Sequence, residues 1–321
     1  PFCIIRTIGN SVVTTPQYFD SKTLNQIYTP YHTPKADREF SPRNVVIFVM
    51  ESMSAENSNY LCADLYADDS QKGYTPFLDS LMQSGYTFER MYANGKRSIQ
   101  ALPSVWGSIP SLVEPFVLMP ESLGESRPLP ALLREKGYTT AFFCGSERGS
   151  MGFDAYAISA GFEQCISKED YEKAHGYNDF DGYWGIWDDK FLGFMGEQID
   201  SLKEPFLASV FTISSHHPFV VPEEWKEHLP EGKTLIQPCA AYLDQSLKMF
   251  FNENRDKEWF DSTVFAFVAD HVSCEHYAER TNYSPGDFHV IGLLYTPDGS
   301  IKGRNSEPVS QIDIMPTLLG I

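Results

Sequence analysis

The sequence predicts an α/β fold in which a largely parallel central sheet is flanked by helices. Strand-like runs of β-branched and aromatic residues alternate with helix-like stretches, which is the order expected of a parallel sheet with helical crossovers. The chain has 321 residues, of which 42% are hydrophobic and 14% are aromatic. A chain of this length and composition can bury a large core, so intrinsic disorder is excluded.

The elements begin after a mixed, polar stretch over residues 1–42, which we interpret as an N-terminal arm or linker. The run NVVIFVM at 44–50 is nearly continuous in apolar residues, as in strands buried on both faces of a parallel sheet. Similar strand-like runs follow at 139–145, 205–213, 262–270 and 290–297. Helix-like stretches lie between them at 75–85, 130–137 and 240–254. We therefore expect one large folded domain over residues 43–321.

Charge and cysteine usage restrict the class of partner and site. The chain contains 25 Lys and Arg against 43 Asp and Glu, which gives a formal net charge of −18. Such an acidic surface argues against nucleic acid as a partner, because phosphate contacts need clustered Lys and Arg. The six cysteines are irregularly spaced and form no CxxC pair, which disfavours zinc-ribbon and thioredoxin-like redox sites.

Polar groups with metal-binding chemistry follow three of the predicted strands. Glu51 comes directly after the first strand, His216 follows the strand at 205–213, and Asp270 and His271 follow the run VFAFVA. In open α/β sheets, functional groups gather beyond the carboxyl ends of the strands. A single polar strand end is explained by a turn, but three such ends favour one converging site.

Two carboxylates and an imidazole are suitable ligands for a divalent cation. Oxygen and nitrogen ligands suit zinc or manganese, and magnesium is a further candidate. Glu51 and Asp270 supply negative charge, and His271 adds a nitrogen ligand. Three protein ligands leave room for a fourth group, which can be a nucleophile whose pKa the metal lowers.

The candidate nucleophile is Ser98, in the stretch NGKRSIQALPSVWGSIPSL. Ser98 precedes a helix-compatible run, so the plain alternative is that its side chain only caps a helix. A helix start also favours anions, and the adjacent Lys96 and Arg97 strengthen the local positive field. Taken alone, this stretch favours the cap.

Five segments together carry a family resemblance. They are NVVIFVMES, NGKRSIQALPSV, SSHHPF, FVADH and SQIDIMPTLLGI, and their order and spacing resemble the alkaline phosphatase and sulfatase superfamily. The chain is more closely similar to its lipoteichoic acid synthase-like branch, the phosphoglycerol transferases, as the segments GSMGFDAYAISAGFE and DGYWGIWDDKFL also indicate. The resemblance extends over about residues 43–320 and implies an alkaline phosphatase/sulfatase-like fold, with 43–321 as the catalytic domain.

The resemblance also implies roles for individual residues. One divalent metal ion, manganese, magnesium or zinc, is expected to be held by Glu51, Ser98, Asp270 and His271, with Ser98 as the covalent nucleophile. The substrate-binding residues are expected to be His216, which holds the substrate phosphate group, Arg97 beside the nucleophile, and Met151. Met151 stands in the stretch where lipoteichoic acid synthases have Trp and Arg that contact glycerol phosphate.

The resemblance implies a metal-dependent phosphoglycerol transferase, or a transferase of a related head group. Such an enzyme takes the group from a phospholipid donor and forms a phosphoserine intermediate. The residues that follow Ser98 lack the Pro and Arg of the C/S-x-P-x-R sulfatase sequence, which disfavours sulfate-ester hydrolysis through formylglycine. Phosphoethanolamine transferases also resemble RSIQALPS, so the head group stays open. The alternatives are a phosphodiesterase or sulfatase acting on soluble esters, and a catalytically idle binding or sensor domain.

The expected partner is a phospholipid or other phosphodiester substrate, and location follows from the same resemblance. No apolar run approaches the length needed to cross a bilayer, and the opening PFCIIRTIGN looks internal. Members of this branch are anchored in the cell membrane with the catalytic domain outside the cytoplasm. We therefore expect a membrane anchor in a segment absent from this sequence, and a periplasmic or extracellular catalytic domain.

Four further polar residues have open interpretations. Asp188 and Asp189 either support the site or place charge at a helix N-terminus, which is the commoner use. His276 follows His271 closely, and His289 opens a strand-like run. Each of these two histidines would bind a second metal, line the pocket or serve as an ordinary packed histidine.

Overall fold

The computed structural model describes residues 17–27, 40–68, 70–111 and 114–321. The chain divides into two compact units, Pro1–Ser41 and Pro42–Ile321. In the first unit the described part contains helix α1 (Ser21–Ile27), and the Asp20 carboxylate accepts the backbone N–H groups of Lys22 and Thr23 at its start. Residues 1–16 and 28–39 of the predicted arm lie outside the described residues.

The second unit contains the predicted alternation of strands and helices. Its strands are β1 (Asn44–Met50), β2 (Tyr86–Phe88), β3 (Met91–Tyr92), β4 (Thr139–Cys144), β5 (Gln164–Ile166), β6 (Phe206–Phe211), β7 (Thr263–Ala269), β8 (His289–Val290), β9 (Gly292–Tyr295), β10 (Gly303–Asn305) and β11 (Val309–Ser310). Its helices are α2 (Pro76–Ser84), α3 (Ser98–Gly107), α4 (Leu129–Arg134), α5 (Phe153–Ala160), α6 (Lys168–His175), α7 (Asp188–Ile199), α8 (Ile236–Asn254) and α9 (Ile314–Gly320).

The strands form one large sheet and one small sheet. The large sheet has the order β10-β2-β9-β7-β1-β6-β4-β5, and the small sheet has the order β11-β3-β8. The central strand β1 pairs in parallel with both β6 and β7, whereas β9 pairs antiparallel with β7 and β2. The prediction of an α/β fold with a largely parallel sheet is confirmed.

The predicted strand at 290–297 is two strands in the structure. β8 belongs to the small sheet and β9 to the large one, and the chain crosses between them at Ile291. The crossing is tight, because a Cβ atom on Gly292 would lie 1.9 Å from the sulfur of Met91. Any side chain at this position would force the buried Met91 side chain to move, and a continuous apolar run does not reveal such a change of sheet.

Helices cover both faces of the large sheet and explain why its central strands are apolar throughout. Every residue of β1 is buried. On one face Phe48 stacks on Phe267 at 4.8 Å and meets Phe250 of α8 edge-on at 5.4 Å. On the other face Trp106 of α3 donates a hydrogen bond from its ring N–H to Ser209 of β6 at 3.1 Å. This two-sided burial holds the carboxyl ends of β1, β6 and β7 in fixed positions.

Two further features of the described residues bear on the sequence predictions. Helix α8 begins at Ile236, several residues before the predicted start, and the Glu275 carboxylate accepts the N–H of Ile236 and of Leu235 before it. This cap comes from a distant segment, so local sequence does not announce it. Within the described residues, no helix has both the length and the apolar character needed to cross a bilayer.

Candidate metal centre

The candidate ligands meet at the carboxyl ends of the two central strands. Glu51 follows β1 directly, and Asp270 and His271 follow β7. The strands are paired in parallel with Met50 opposite Ala269, so the residues that follow them lie side by side. One ligand atom from each of the three side chains lies within 4.8 Å of the other two. Two of the three polar strand ends, those of β1 and β7, therefore lie together as the sequence predicts; the ligand group does not include His216 of the third.

The two carboxylates are buried and held by specific hydrogen bonds. Glu51 accepts the Ser52 hydroxyl at 2.6 Å through Oε1 and the Ser98 hydroxyl at 2.9 Å through Oε2. Asp270 Oδ1 accepts the backbone N–H groups of Ser52 and His271 at 2.8 and 2.7 Å. Asp270 Oδ2 is buried without a hydrogen-bond partner among the described residues. A buried carboxylate oxygen left in this state is costly unless a cation binds it.

His271 presents the ring nitrogen that a metal site requires. Its Nδ1 lies 2.8 Å from the Val272 carbonyl oxygen, which can only accept, so Nδ1 carries the hydrogen. The Nε2 atom then points toward Asp270 Oδ2 at 3.2 Å and Ser98 Oγ at 3.3 Å. A backbone carbonyl that fixes the tautomer in this way is the usual support of a metal-binding histidine.

The electrostatics of these side chains favour a bound cation. Burial raises the pKa of the Asp270 carboxyl, and the neighbouring Glu51 carboxylate raises it further. Burial lowers the pKa of His271, but the Asp270 and Glu51 charges outweigh that effect and raise it overall. The raised pKa of Asp270 shows that ionising both buried carboxylates beside one imidazole is costly without a cation. A divalent ion neutralises the charge of the ionised carboxylates and bonds the unpartnered Asp270 oxygen, so the residues present fit the implied metal.

Ser98 lies at the start of α3, but its hydroxyl does not cap the helix. The N-cap position belongs to Arg97, and the Gln100 side-chain oxygen accepts the N–H groups of Lys96 and Arg97 at 3.0 and 3.1 Å. The Ser98 side chain is buried and turned toward Glu51. The hydroxyl therefore belongs to the candidate site and not to the helix cap.

Sequence reasoning missed two residues that hold the site together. Gln311 is fully buried, and its Nε2 donates to the carbonyl oxygens of Ala269 and Asp270 at 2.7 Å each, while its Oε1 accepts the N–H of Asn94. It thus links the strand end at Asp270 to the segment before Ser98. The second is Ser52, which bonds both carboxylates from a left-handed backbone conformation, with φ at 55°.

Of the predicted substrate-binding residues, His216 and Met151 lie on two segments that Trp184 connects, and Arg97 is the neighbour of Ser98 in the chain. The His216 ring is exposed and lies 4.6 Å from the Trp184 ring, whose N–H donates to the Ser150 hydroxyl at 2.9 Å. Ser150 precedes Met151, which is 40% exposed, so Trp184 joins the two segments. Arg97 is exposed beside Ser98. Their contacts with substrate stay predictions.

The segment that leads to His216 is anchored by Asp188. Its carboxylate accepts the N–H groups of Ile213 and Ser214 at 3.0 and 2.9 Å. The next residue, Ser215, donates its hydroxyl to the Glu51 carbonyl oxygen at 2.6 Å. Burial raises the pKa of Asp188 to about 7, although these hydrogen bonds oppose the shift. Asp188 therefore stands at the start of α7, as predicted for helix charge, and also supports the site.

The remaining polar residues have ordinary positions. Asp189, the second residue of α7, accepts the Tyr242 hydroxyl at 2.7 Å. The Nε2 of His289 lies 3.0 Å from the Glu89 carbonyl oxygen, and burial lowers the pKa of the His289 ring. His276 lines a cavity and is not part of the three-residue ligand group.

Comparison with known proteins gives the family directly. The family model described as Sulfatase matches residues 43–321. The chain belongs to the sulfatase family. It is 26% identical over 326 aligned residues to lipoteichoic acid synthase 1 of Bacillus subtilis strain 168, an alignment that covers 94% of this chain and 49% of that protein. The chain thus spans about half the length of the curated relatives that it matches.

Solved structures agree with this assignment. A protein in the alkaline phosphatase superfamily from Vibrio parahaemolyticus has a TM-score of 0.75 and 27% identity, over 88% of this chain and 67% of that one. The lipoteichoic acid synthase LtaP from Listeria monocytogenes has a TM-score of 0.71 at 21% identity, over 87% and 71%. The predicted resemblance to the lipoteichoic acid synthase-like branch of the superfamily is confirmed.

Proposed function

We propose that this sulfatase-family domain is a metal-dependent phosphoryl head-group transferase that uses a phospholipid donor and forms a phosphoserine intermediate at Ser98. The observation that carries the proposal is the position of the Ser98 hydroxyl. Its Oγ lies 2.9 Å from Glu51 and 3.3 Å from His271, against the three-residue ligand group. The similarity to proteins named lipoteichoic acid synthase supports the same class of reaction.

The reaction begins with the Ser98 hydroxyl. Glu51, Asp270, His271 and the Ser98 oxygen would hold a divalent cation, which would lower the pKa of the serine hydroxyl and supply positive charge near the phosphoryl oxygens. Ser98 loses its proton, its Oγ bonds to phosphorus, and the bond between phosphorus and the donor alcohol breaks; the alcohol oxygen leaves with the electron pair and takes up a proton. A second alcohol then loses its proton and bonds to phosphorus, the bond between phosphorus and Oγ breaks, and Ser98 takes up a proton.

We assign to His216 the role of holding the phosphoryl group. Its Nδ1 donates to the His217 carbonyl oxygen at 2.7 Å, which leaves Nε2 as the ring nitrogen that can face the substrate. With a proton on Nε2, the ring would donate to the non-bridging phosphoryl oxygens as charge builds on them. Asp188 anchors the segment that leads to His216. A hydrogen-bond donor on an anchored segment stabilises a transition state more effectively than a mobile donor.

The rival functions differ in the acceptor or in the ester. Water as the acceptor makes the same site a phosphodiesterase. Sulfate-ester hydrolysis by the formylglycine route is disfavoured, because SIQAL at residues 98–102 lacks the required Pro and Arg. The resemblance to the lipoteichoic acid synthase-like branch supports the further proposal of an extracytoplasmic domain whose membrane anchor lies in another segment.

The proposal is tested by diacylglycerol release from phosphatidylglycerol and phosphatidylethanolamine. The purified protein is assayed with manganese, magnesium or zinc, beside Ser98→Ala and the matched control Ser104→Ala. Ser104 is a buried serine of the same helix, bonded only to backbone carbonyl oxygens in the described contacts. We expect metal-dependent release by the unmodified protein and by Ser104→Ala, and none by Ser98→Ala. Equal release by Ser98→Ala contradicts the assignment of the nucleophile.

A further inference from the structure

Ser52 is bonded to both carboxylates of the candidate metal centre. Its Oγ donates to Glu51 Oε1 at 2.6 Å, and its backbone N–H donates to Asp270 Oδ1 at 2.8 Å. The two acceptors follow different strands, β1 and β7, which pair in parallel. Ser52 is buried, so these hydrogen bonds are shielded from water. One residue therefore sets the position of two acidic side chains relative to each other.

The backbone of Ser52 adopts a costly conformation where it makes these contacts. Its φ is 55°, in the left-handed region that a residue with a Cβ atom rarely occupies. Just before this turn, the Met50 carbonyl oxygen accepts the Asp270 N–H at 2.9 Å, and just after it the Ser54 N–H donates to the Ser52 carbonyl oxygen at 2.9 Å. Glycine would avoid the strain, but glycine has no hydroxyl. Backbone strain gathers at functional sites, which points to a use for the Ser52 hydroxyl.

The hydroxyl restrains the longer of the two acidic side chains. Two backbone N–H groups, those of Ser52 and His271, already hold the short Asp270 side chain through Oδ1. The Glu51 carboxylate is held instead by the hydroxyls of Ser52 and Ser98. Ser98 is the proposed nucleophile, so its hydroxyl proton is lost from Glu51 when the serine oxygen reacts. Among the described contacts, the Ser52 hydroxyl is then the hydrogen bond that keeps the Glu51 carboxylate in place.

We propose that Ser52 is a positioning residue whose hydroxyl orients the Glu51 carboxylate for the divalent cation, at the expense of fold stability. The inference rests on the metal dependence of the proposed function. Removing a hydrogen bond that a neighbouring group makes to a metal ligand commonly lowers metal affinity by ~10–100-fold. Glycine at residue 52 should therefore have two opposite effects, because it relieves the left-handed strain and weakens metal binding.

Isothermal titration with manganese measures metal binding by the parent, Ser52→Ala and Ser52→Gly proteins. Both variants lack the hydroxyl and keep the N–H that bonds Asp270. We expect the dissociation constant for manganese to rise about tenfold or more in each variant. Ser58→Ala is the matched control, because the buried Ser58 hydroxyl donates to the buried Asp79 carboxylate at 2.5 Å and neither residue belongs to the ligand group. Its dissociation constant should equal that of the parent.

Thermal unfolding in EDTA measures the effect on the fold. Ser52→Gly protein should unfold about 2 °C or more above Ser52→Ala protein, because alanine keeps the left-handed strain that glycine avoids. Equally weak manganese binding by two variants of different stability is a result that a purely structural role does not give. Parent affinity in both Ser52 variants, a loss in Ser52→Ala alone, or the same loss in Ser58→Ala overturns the inference.

The proposed function can fail separately from the role of Ser52. If the parent binds manganese more tightly than both Ser52 variants but releases no diacylglycerol from either phospholipid, the proposed function fails and the role of Ser52 stands. If the parent releases diacylglycerol in manganese while both Ser52 variants bind manganese as tightly as the parent, the role of Ser52 fails and the proposed function stands.

Discussion

Relative to the parent protein, Asp270→Asn protein should be at least as stable without metal and less stable with it. Asp270 is 1% exposed, and its Oδ2 lacks a hydrogen-bond partner within the described residues. The variant keeps the shape of the side chain and an oxygen for the N–H groups of Ser52 and His271. It removes an acidic group that burial and the Glu51 charge make costly to ionise. Metal-free Asp270→Asn protein should therefore be at least as stable as the metal-free parent.

The magnitudes follow from binding linkage and from charge repulsion. A cation at one hundred times its dissociation constant adds ~2.7 kcal/mol to the parent. For a domain over residues 43–321 that amounts to a rise of about 5 °C in the unfolding temperature. Two unit charges ~4.8 Å apart repel by no more than ~3.5 kcal/mol at an effective dielectric constant of ~20, and partial protonation of Asp270 reduces this. Without metal, the unfolding temperature of the variant should exceed that of the parent by up to a few degrees. Adding metal should not raise the unfolding temperature of the variant further.

Thermal unfolding followed by circular dichroism, in EDTA and in manganese, measures both effects. Asp244→Asn is the control, because Asp244 is a fully buried carboxylate that accepts the N–H groups of Phe77 and Leu78 at the start of α2. It should lower stability in both conditions and preserve the shift on adding manganese. An unchanged manganese shift in folded Asp270→Asn protein would refute Asp270 as a ligand.

Three other variants test separate parts of the site. Ser98→Thr keeps a hydroxyl and adds one methyl, so diacylglycerol release should fall but persist; complete loss without unfolding would contradict a role for the hydroxyl alone. Trp184→Ala removes the ring beside His216 and should raise KM more than it lowers kcat, whereas equal kinetics of variant and parent would exclude a substrate-facing role. Burial raises the folded-state pKa of Asp188 to about 7, above an unfolded value of ~3.9. The contribution of this carboxyl group to the free energy of unfolding is therefore fully present below about pH 4 and is lost as the pH rises toward 7. The free energy of unfolding measured with denaturant should fall by up to about 1.4 kcal/mol per pH unit over that window, and Asp188→Asn should reduce this slope. An identical slope in both proteins would contradict the assignment of the slope to Asp188.

Elements buried on both faces are well predicted from sequence alone. The run at 44–50 coincides with β1 (Asn44–Met50), because full burial leaves an uninterrupted apolar signal that ends at Glu51. The prediction that Glu51, Asp270 and His271 converge follows from the parallel order of their strands, and their ligand atoms do lie within 4.8 Å. The ends of parallel strands thus predict which polar residues lie close together in the folded protein.

What the sequence does not reveal are contacts made between distant segments. The anchoring of Asp270 by Gln311 spans 41 residues, and that of Ile213 by Asp188 spans 25. Each depends on which loops meet at the sheet edge, and a polar residue in a helix-like run carries no mark of its partner. The split of the 290–297 run into β8 and β9 has the same origin, since the close approach of Gly292 to Met91 exists only in the assembled fold.

The covalent state of Ser98 during turnover tests the central claim most directly. Protein incubated with manganese and phosphatidylglycerol is quenched in acid, and its intact mass and peptide masses are recorded. The account predicts a phosphoglycerol adduct on the peptide that contains Ser98, present in Ser104→Ala protein and missing from Ser98→Ala protein. Diacylglycerol release at the full rate by folded Ser98→Ala protein, with no adduct on any residue, would contradict it.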